Sequence, residues 1–195
     1  MNNNQIQPED IFQRDDYINI RPKLRKEIVI RKRKRRVDVG PYVTLYFENR
    51  DTIIHQINEM VFIENGGSEQ IKEEIKAYKS LLPDGKELVA TVMVEIDNPL
   101  KRSEVLSKMG GFEETFTIKV EDKIVYGKAE LDVDRTTADG KASSVQFIHF
   151  KFSEEDIKIF RDKNSKIELA INHNTYAHST VLQNDTKDEL SGDFS

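Results

Sequence analysis

The chain has 195 residues, 37% hydrophobic and 33% charged, with no Trp and no Cys; it is long enough to bury a core as one domain without disulfide or metal staples. The lack of cysteine excludes disulfide frameworks, thiolate nucleophiles, zinc ribbons and thiol-ligated iron–sulfur clusters. The net charge of −5 conceals a split, because Arg21 to Arg36 holds ten bases against the single acid Glu27, a local +9 that leaves −14 on the remainder. Such a segment faces either an anionic partner or the protein's own acidic body.

Residues 1–7 are polar and read as a disordered start, with no basic stretch leading into an apolar one. No apolar run approaches the roughly 18 residues that a membrane span needs, so a soluble cytoplasmic protein is expected. The single α+β domain is expected over residues 8–182. Asp15 or Asp16 caps a brief helix over Tyr17 to Ile20, and Pro22 suits the first turn of a new, basic helix with Leu24 and Ile28 on one face. Val39-Gly40-Pro41 breaks it. Val43, Leu45 and Phe47 alternate as a strand, and Ile53, Ile54, Ile57, Met60 and Val61 follow at helical spacing behind the cap Asn49 or Asp51. A second helix carrying Ile71, Ile75, Tyr78 and Leu82 comes so soon after Gly66-Gly67 that the two predict an antiparallel helical hairpin.

After Pro83-Asp84-Gly85 strands dominate. Leu88 to Val94 is apolar on both faces; Asn98-Pro99 opens a short helix closed by Gly110-Gly111; Phe116, Ile118 and Val120 lead through a turn into a second strand over Ile124 to Val133. Asp132-Val133-Asp134 with Asp139-Gly140 resembles a calcium loop only loosely and reads as a hairpin loop. Val145 to Phe150 is a strand, Ser153 to Asp156 a capping-box start of a helix, Lys166 to His173 the last strand, and residues 183–195 a weakly ordered or helical tail. Helices come early and strands late. The expected fold is α+β: a largely antiparallel sheet of about six strands under an N-terminal helical layer that includes the hairpin.

Three groups carry candidate chemistry. Arg31, Lys32, Arg33, Lys34, Arg35 and Arg36 form an anion-binding candidate, although no aromatic residue interleaves with them to stack on bases. Glu48, Arg50, Gln56 and Glu59 gather at a strand-to-helix junction, a usual place for a site, and His55 lies one helical turn before Glu59. His173 and Tyr176 end the last strand, where an imidazole and a phenol could serve as acid and base or simply satisfy backbone groups. No metal-ligand spacing, phosphate loop, dinucleotide fingerprint or nucleophile elbow is present.

Val39-Gly40-Pro41, Tyr46-Phe47-Glu48-Asn49-Arg50-Asp51-Thr52, Gln56-Ile57-Asn58-Glu59-Met60, Leu88 to Thr91 and His173-Asn174-Thr175-Tyr176 together resemble an uncharacterised bacterial domain-of-unknown-function family, over about Glu9 to Leu190. Asn174 stands where the family pattern has Pro. The resemblance implies no activity or cofactor. It implies a context, since such proteins are often encoded beside rubrerythrin-like di-iron proteins and iron–sulfur oxidoreductases. It also weights Glu48, Arg50, Gln56 and Glu59 as a shared polar network, either a site or a structural lock. The leading expectation is an accessory module that binds a partner protein or a small anion. The alternatives are a small enzyme using Glu48, Arg50, Gln56, Glu59, His173 and Tyr176, and nucleic-acid binding through the basic helix.

Overall fold

A computed structural model describes residues 5–130, 136–137 and 140–195 of the chain. Asp132, Val133, Asp134 and Asp139, on which the loose likeness to a calcium loop rested, lie outside the described residues.

The expected six-stranded sheet is corrected to eight antiparallel strands that curl into a nearly closed barrel. They are β1 (Arg36–Val39), β2 (Val43–Glu48), β3 (Glu87–Val94), β4 (Phe116–Val120), β5 (Lys123–Ala129), β6 (Val145–Lys151), β7 (Ile167–His173) and β8 (Tyr176–Val181), in the order β1-β2-β3-β6-β5-β4-β7-β8. The two additional strands are β1 and β8. β1 hides in the sequence because four residues with two charges, Arg36 and Asp38, give too little period-2 signal; β8 hides because Ala177 to Ser179 is exposed and polar or small on both faces. Both are edge strands, and the sheet curls until these two edges approach each other without joining in a ladder.

Side chains fill the barrel. Val43, Leu45 and Phe47 of β2 point inward with Leu88, Ala90 and Val92 of β3, Ile118 of β4, Ile148 and Phe150 of β6, and Leu169 and Ile171 of β7. The interior is therefore packed core rather than a lumen.

A second apolar cluster lies outside the sheet. α2 (Arg50–Ile63) and α3 (Ser68–Tyr78) form a hairpin whose Ile53, Ile57, Val61 and Ile71 cluster with Val89, an outward-facing residue of β3. The Asn49 side chain accepts from the Thr52 amide at 3.0 Å and caps α2. Two helices anticipated before and after Pro22 are one, α1 (Arg14–Lys34). Pro22 removes the hydrogen bond that the Ile18 carbonyl would receive, and Ile18 is solvent-exposed, so water can take that place. α1 covers the second face of α2: Tyr17 meets Phe62 edge-on at 5.9 Å and the Arg21 guanidinium lies 4.5 Å from the Phe62 ring centre. α4 (Pro99–Leu106), α5 (Glu154–Arg161) and α6 (Asn184–Ser191) complete the fold, with Leu190 and Phe194 buried at the chain's end.

Candidate functional site

The six residues singled out for catalysis fall into four places. The first is the seam between β1 and β8. No ladder joins these strands; Tyr176 does so with its phenol. Its hydroxyl donates to the Val39 carbonyl at 2.7 Å and accepts from the amides of Tyr42 (3.0 Å) and Val43 (3.2 Å). One donor and two lone pairs are all a phenol has, so the group has no capacity left for a substrate, and burial raises its pKa further. Gly40 explains why the approach is possible: its φ is +72°, and a Cβ there would stand 2.6 Å from both Tyr176 Oη and the His178 ring. His173 faces Tyr176 across the β7–β8 hairpin, with Nε2 3.1 Å from the Gly110 carbonyl and Nδ1 3.3 Å from the Thr175 amide. An Nε2–H tautomer satisfies both contacts.

The second place is a lock between α1 and α2. Glu59 accepts from Tyr17 Oη at 2.8 Å and from Arg21 Nε and Nη2 at 2.8 and 2.9 Å. The Arg21 fork, then the Tyr17 hydroxyl, hold the carboxyl down to about pH 2, while burial and the carboxylate push the Tyr17 phenol well above its usual range. The pKa of His55, one turn earlier, is lowered by partial burial and by nearby Lys32. Among the described residues no three His, Asp or Glu side chains gather around a common point that could hold a metal ion.

Arg50 occupies the third place, paired with Asp10 Oδ2 at 2.6 Å. The fourth is a groove of about 370 Å³ on the outer sheet face, lined by Glu48, Gln56, Lys32, Tyr46, Tyr78 and Thr91 over a floor that includes Met93, Val145 and Phe147. Register builds that floor: Tyr46, Thr91 and Phe147 lie side by side on β2, β3 and β6, with Met93 beside Val145 one pleat along. Glu48 receives hydroxyl hydrogen bonds from Thr91 at 2.8 Å and Thr52 at 2.5 Å. Tyr176 binds the amide of Val43, and Glu48 lies at the far end of the same strand, about 16 Å away along an extended backbone. The structure thus brings Glu48 and Gln56 together and His173 and Tyr176 together, and it does not join the six in one cleft.

The profile of a protein family described as "Protein of unknown function (DUF3501)" matches residues 5–194. The chain belongs to this family. A crystal structure described as a novel protein of unknown function from Burkholderia pseudomallei K96243 superposes with a TM-score of 0.91, at 27% sequence identity, over 98% of this chain and 100% of that one. No curated protein matches the chain. The motif residues of this DUF3501 chain therefore have physical roles in the fold but no assigned chemistry: Gly40 lets the seam close, Asn49 caps α2, and Glu59 locks α1.

The basic run divides as well. Arg35 is 1% exposed and points into the protein, donating to the Phe47 carbonyl at 2.9 Å and the Glu48 carbonyl at 3.1 Å and pairing with Asp193 and Glu189. Arg31 pairs with Asp51, and Arg36 with Asp38 at 3.0 Å. Lys32, Arg33 and Lys34 make no ion pair among the described residues. Sequence reasoning missed Tyr46, Tyr78, Thr91 and Phe147 as neighbours of Glu48, because only the cross-strand register places them there. His149, a lone strand histidine whose simplest reading is structural, lies on the same outer face with Nδ1 3.2 Å from Glu87 and Nε2 3.5 Å from Glu130.

Proposed function

We propose that the chain is a cytoplasmic, non-catalytic accessory module that docks an acidic partner protein on the outward face of α1. The observation that carries this reading is the composition of that face. Val29 and Ile30 are 64% and 66% exposed, and Lys23, Lys26, Arg33 and Lys34 surround them, also exposed. Of these four cations only Lys23 has an ion pair among the described residues, a 3.8 Å contact to Glu27. An apolar centre with a rim of unneutralised charge is the anatomy of a transient protein interface, and single-sign charge raises the encounter rate. The complementary partner is acidic around a small apolar patch. No helix among the described residues is long and apolar enough to cross a membrane. The commitment of Tyr176, His173, Glu59 and Arg50 to internal bonds further supports binding over catalysis.

Rubrerythrin-like di-iron proteins and iron–sulfur oxidoreductases, the partners the family context implies, are the first to test. Titration calorimetry with these proteins purified from the same host should give an affinity that falls with salt and is lost in the double variant Lys26→Glu, Arg33→Glu. Absence of binding to either class, or binding indifferent to salt and to the double variant, overturns the proposal. Salt-dependent binding to DNA or to anionic vesicles, with none to the proteins, assigns the face to those surfaces instead.

A further inference from the structure

We infer that the groove between Lys32, Glu48 and Tyr78 is a small-molecule site for a zwitterion with an apolar, preferably aromatic, body. This site is separate from the outward face of α1 and does not depend on that reading. Its volume, about 370 Å³, falls within the range of ligand pockets, roughly 300–1,000 Å³. The lining has the composition such pockets share, an apolar floor with a few convergent polar groups.

The floor exists because α2 and α3 cover only part of the outer face of β2, β3 and β6. Ile53 and Leu81 seal one end against Val89, and the row Tyr46–Thr91–Phe147 with Met93 and Val145 is left under the opening. Phe147 is half-buried and packs against the outer cluster, while Met93 is 36% exposed at the rim, so the floor offers both a fixed ring and an adaptable thioether.

The polar groups define the ligand. Glu48 carries a half-buried carboxylate that two hydroxyls solvate and that forms no ion pair among the described residues, the Arg35 guanidinium being taken up by the backbone carbonyl of Glu48 and by Asp193. Lys32 carries a half-buried positive charge with no carboxylate within ion-pair distance among the described residues. The two line one groove without pairing with each other. A ligand presenting an ammonium to Glu48 and a carboxylate to Lys32 would satisfy both at once, with its body on Phe147 and Met93. The Gln56 amide, which shares the groove wall with Tyr78, stands ready to read a further polar substituent.

The probes are para-(aminomethyl)benzoate, which has both charged groups on one ring, and its two halves benzylamine and benzoate. Amide and side-chain NH₂ resonances of ¹⁵N-labelled protein are followed during titration. Saturable shifts are expected at the Gln56 side chain and at Thr91, Met93 and Phe147, with the zwitterion binding about tenfold more tightly than either half. Glu48→Gln should weaken benzylamine and leave benzoate unchanged; Lys32→Gln should do the reverse. Met93→Trp, a rim substitution that fills the groove without touching Glu48, should abolish all three while the thermal midpoint holds. The inference fails if no probe shifts these resonances at about 10 mM, where a fragment this small should register, or if the shifts survive Met93→Trp. It also fails if they map to the separate cleft of about 260 Å³ between Phe12, Glu27 and His55.

Discussion

The seam at Tyr176 and the groove at Glu48 sit at opposite ends of β2, and they treat polar groups in opposite ways. At the seam every hydrogen-bonding position of the Tyr176 phenol is taken by the backbone of Val39, Tyr42 and Val43. In the groove the Glu48 carboxylate and the Lys32 ammonium line one cavity without an ion pair between them. Both regions carry family motif residues, so membership in a motif does not separate a site from a lock.

The strongest way to break this comparison is to disturb a lock outright. Arg35→Ala leaves Asp193, whose carboxyl burial already pushes upward, without its partner beside β2. A loss of about 3–5 kcal/mol is expected by chemical denaturation, and a value near zero would show that Arg35 is not the clamp that ties α6 to the barrel. Tyr176→Phe should cost about 2–3 kcal/mol, since it strips partners from the Val39 carbonyl and two amides at once. Gly40→Ala should destabilise comparably, as it combines an unfavourable positive φ with a 2.6 Å clash against Tyr176 and His178. If either substitution is silent, the barrel does not need its seam closed.

Much of the fold was legible because its signals are local. The α2 stripe of Ile53, Ile57 and Val61, the Asn49 cap and the Ser153–Asp156 capping box each lie within one or two helical turns. β1 and β8 were not legible, because their stability comes from closure with distant partners. Arg35 illustrates the same limit: within a run of six bases nothing marks the one that turns inward, since its acceptors lie at Phe47, Glu48, Glu189 and Asp193. The polar network at Glu48 to Glu59 was visible as a group of residue types. Its division into a groove, a lock and an ion pair was not, because helix α1, which supplies Tyr17, Arg21 and Lys32, is placed by packing against Phe62.

A smaller effect tests the α1 lock. Glu59 has a folded pKa near 2 against an ordinary 4.5, so its contribution is complete above 4.5 and disappears as pH falls toward 2. Glu59→Gln should cost about 1–3 kcal/mol at neutral pH, and wild type and variant should converge in stability as the solution is acidified through that window. Parallel curves would mean that Arg21 and Tyr17 gain nothing from the charge.

The smallest expected effect belongs to the outer-face histidine. Hydrogen bonding to Glu87, reinforced by Glu130, raises the His149 pKa above 6.5, although exposed Lys128 stands opposite it in register. A histidine that binds its proton more tightly when folded contributes fully below 6.5, and this contribution is lost as pH rises through the folded pKa. His55 has the opposite sign: burial lowers its pKa, so it destabilises as pH falls below 6.5. The two histidines thus contribute slopes of opposite sign, His149 on the alkaline side of 6.5 and His55 on the acidic side. His149→Gln should flatten the alkaline limb alone, and His55→Gln the acidic limb alone, in thermal melts from pH 5.5 to 8.5, a range that brackets the histidine pKa. If His149→Gln leaves the alkaline limb intact, the imidazole is neutral between its two carboxylates, and the outer face beside the groove carries one negative charge more than this geometry assigns.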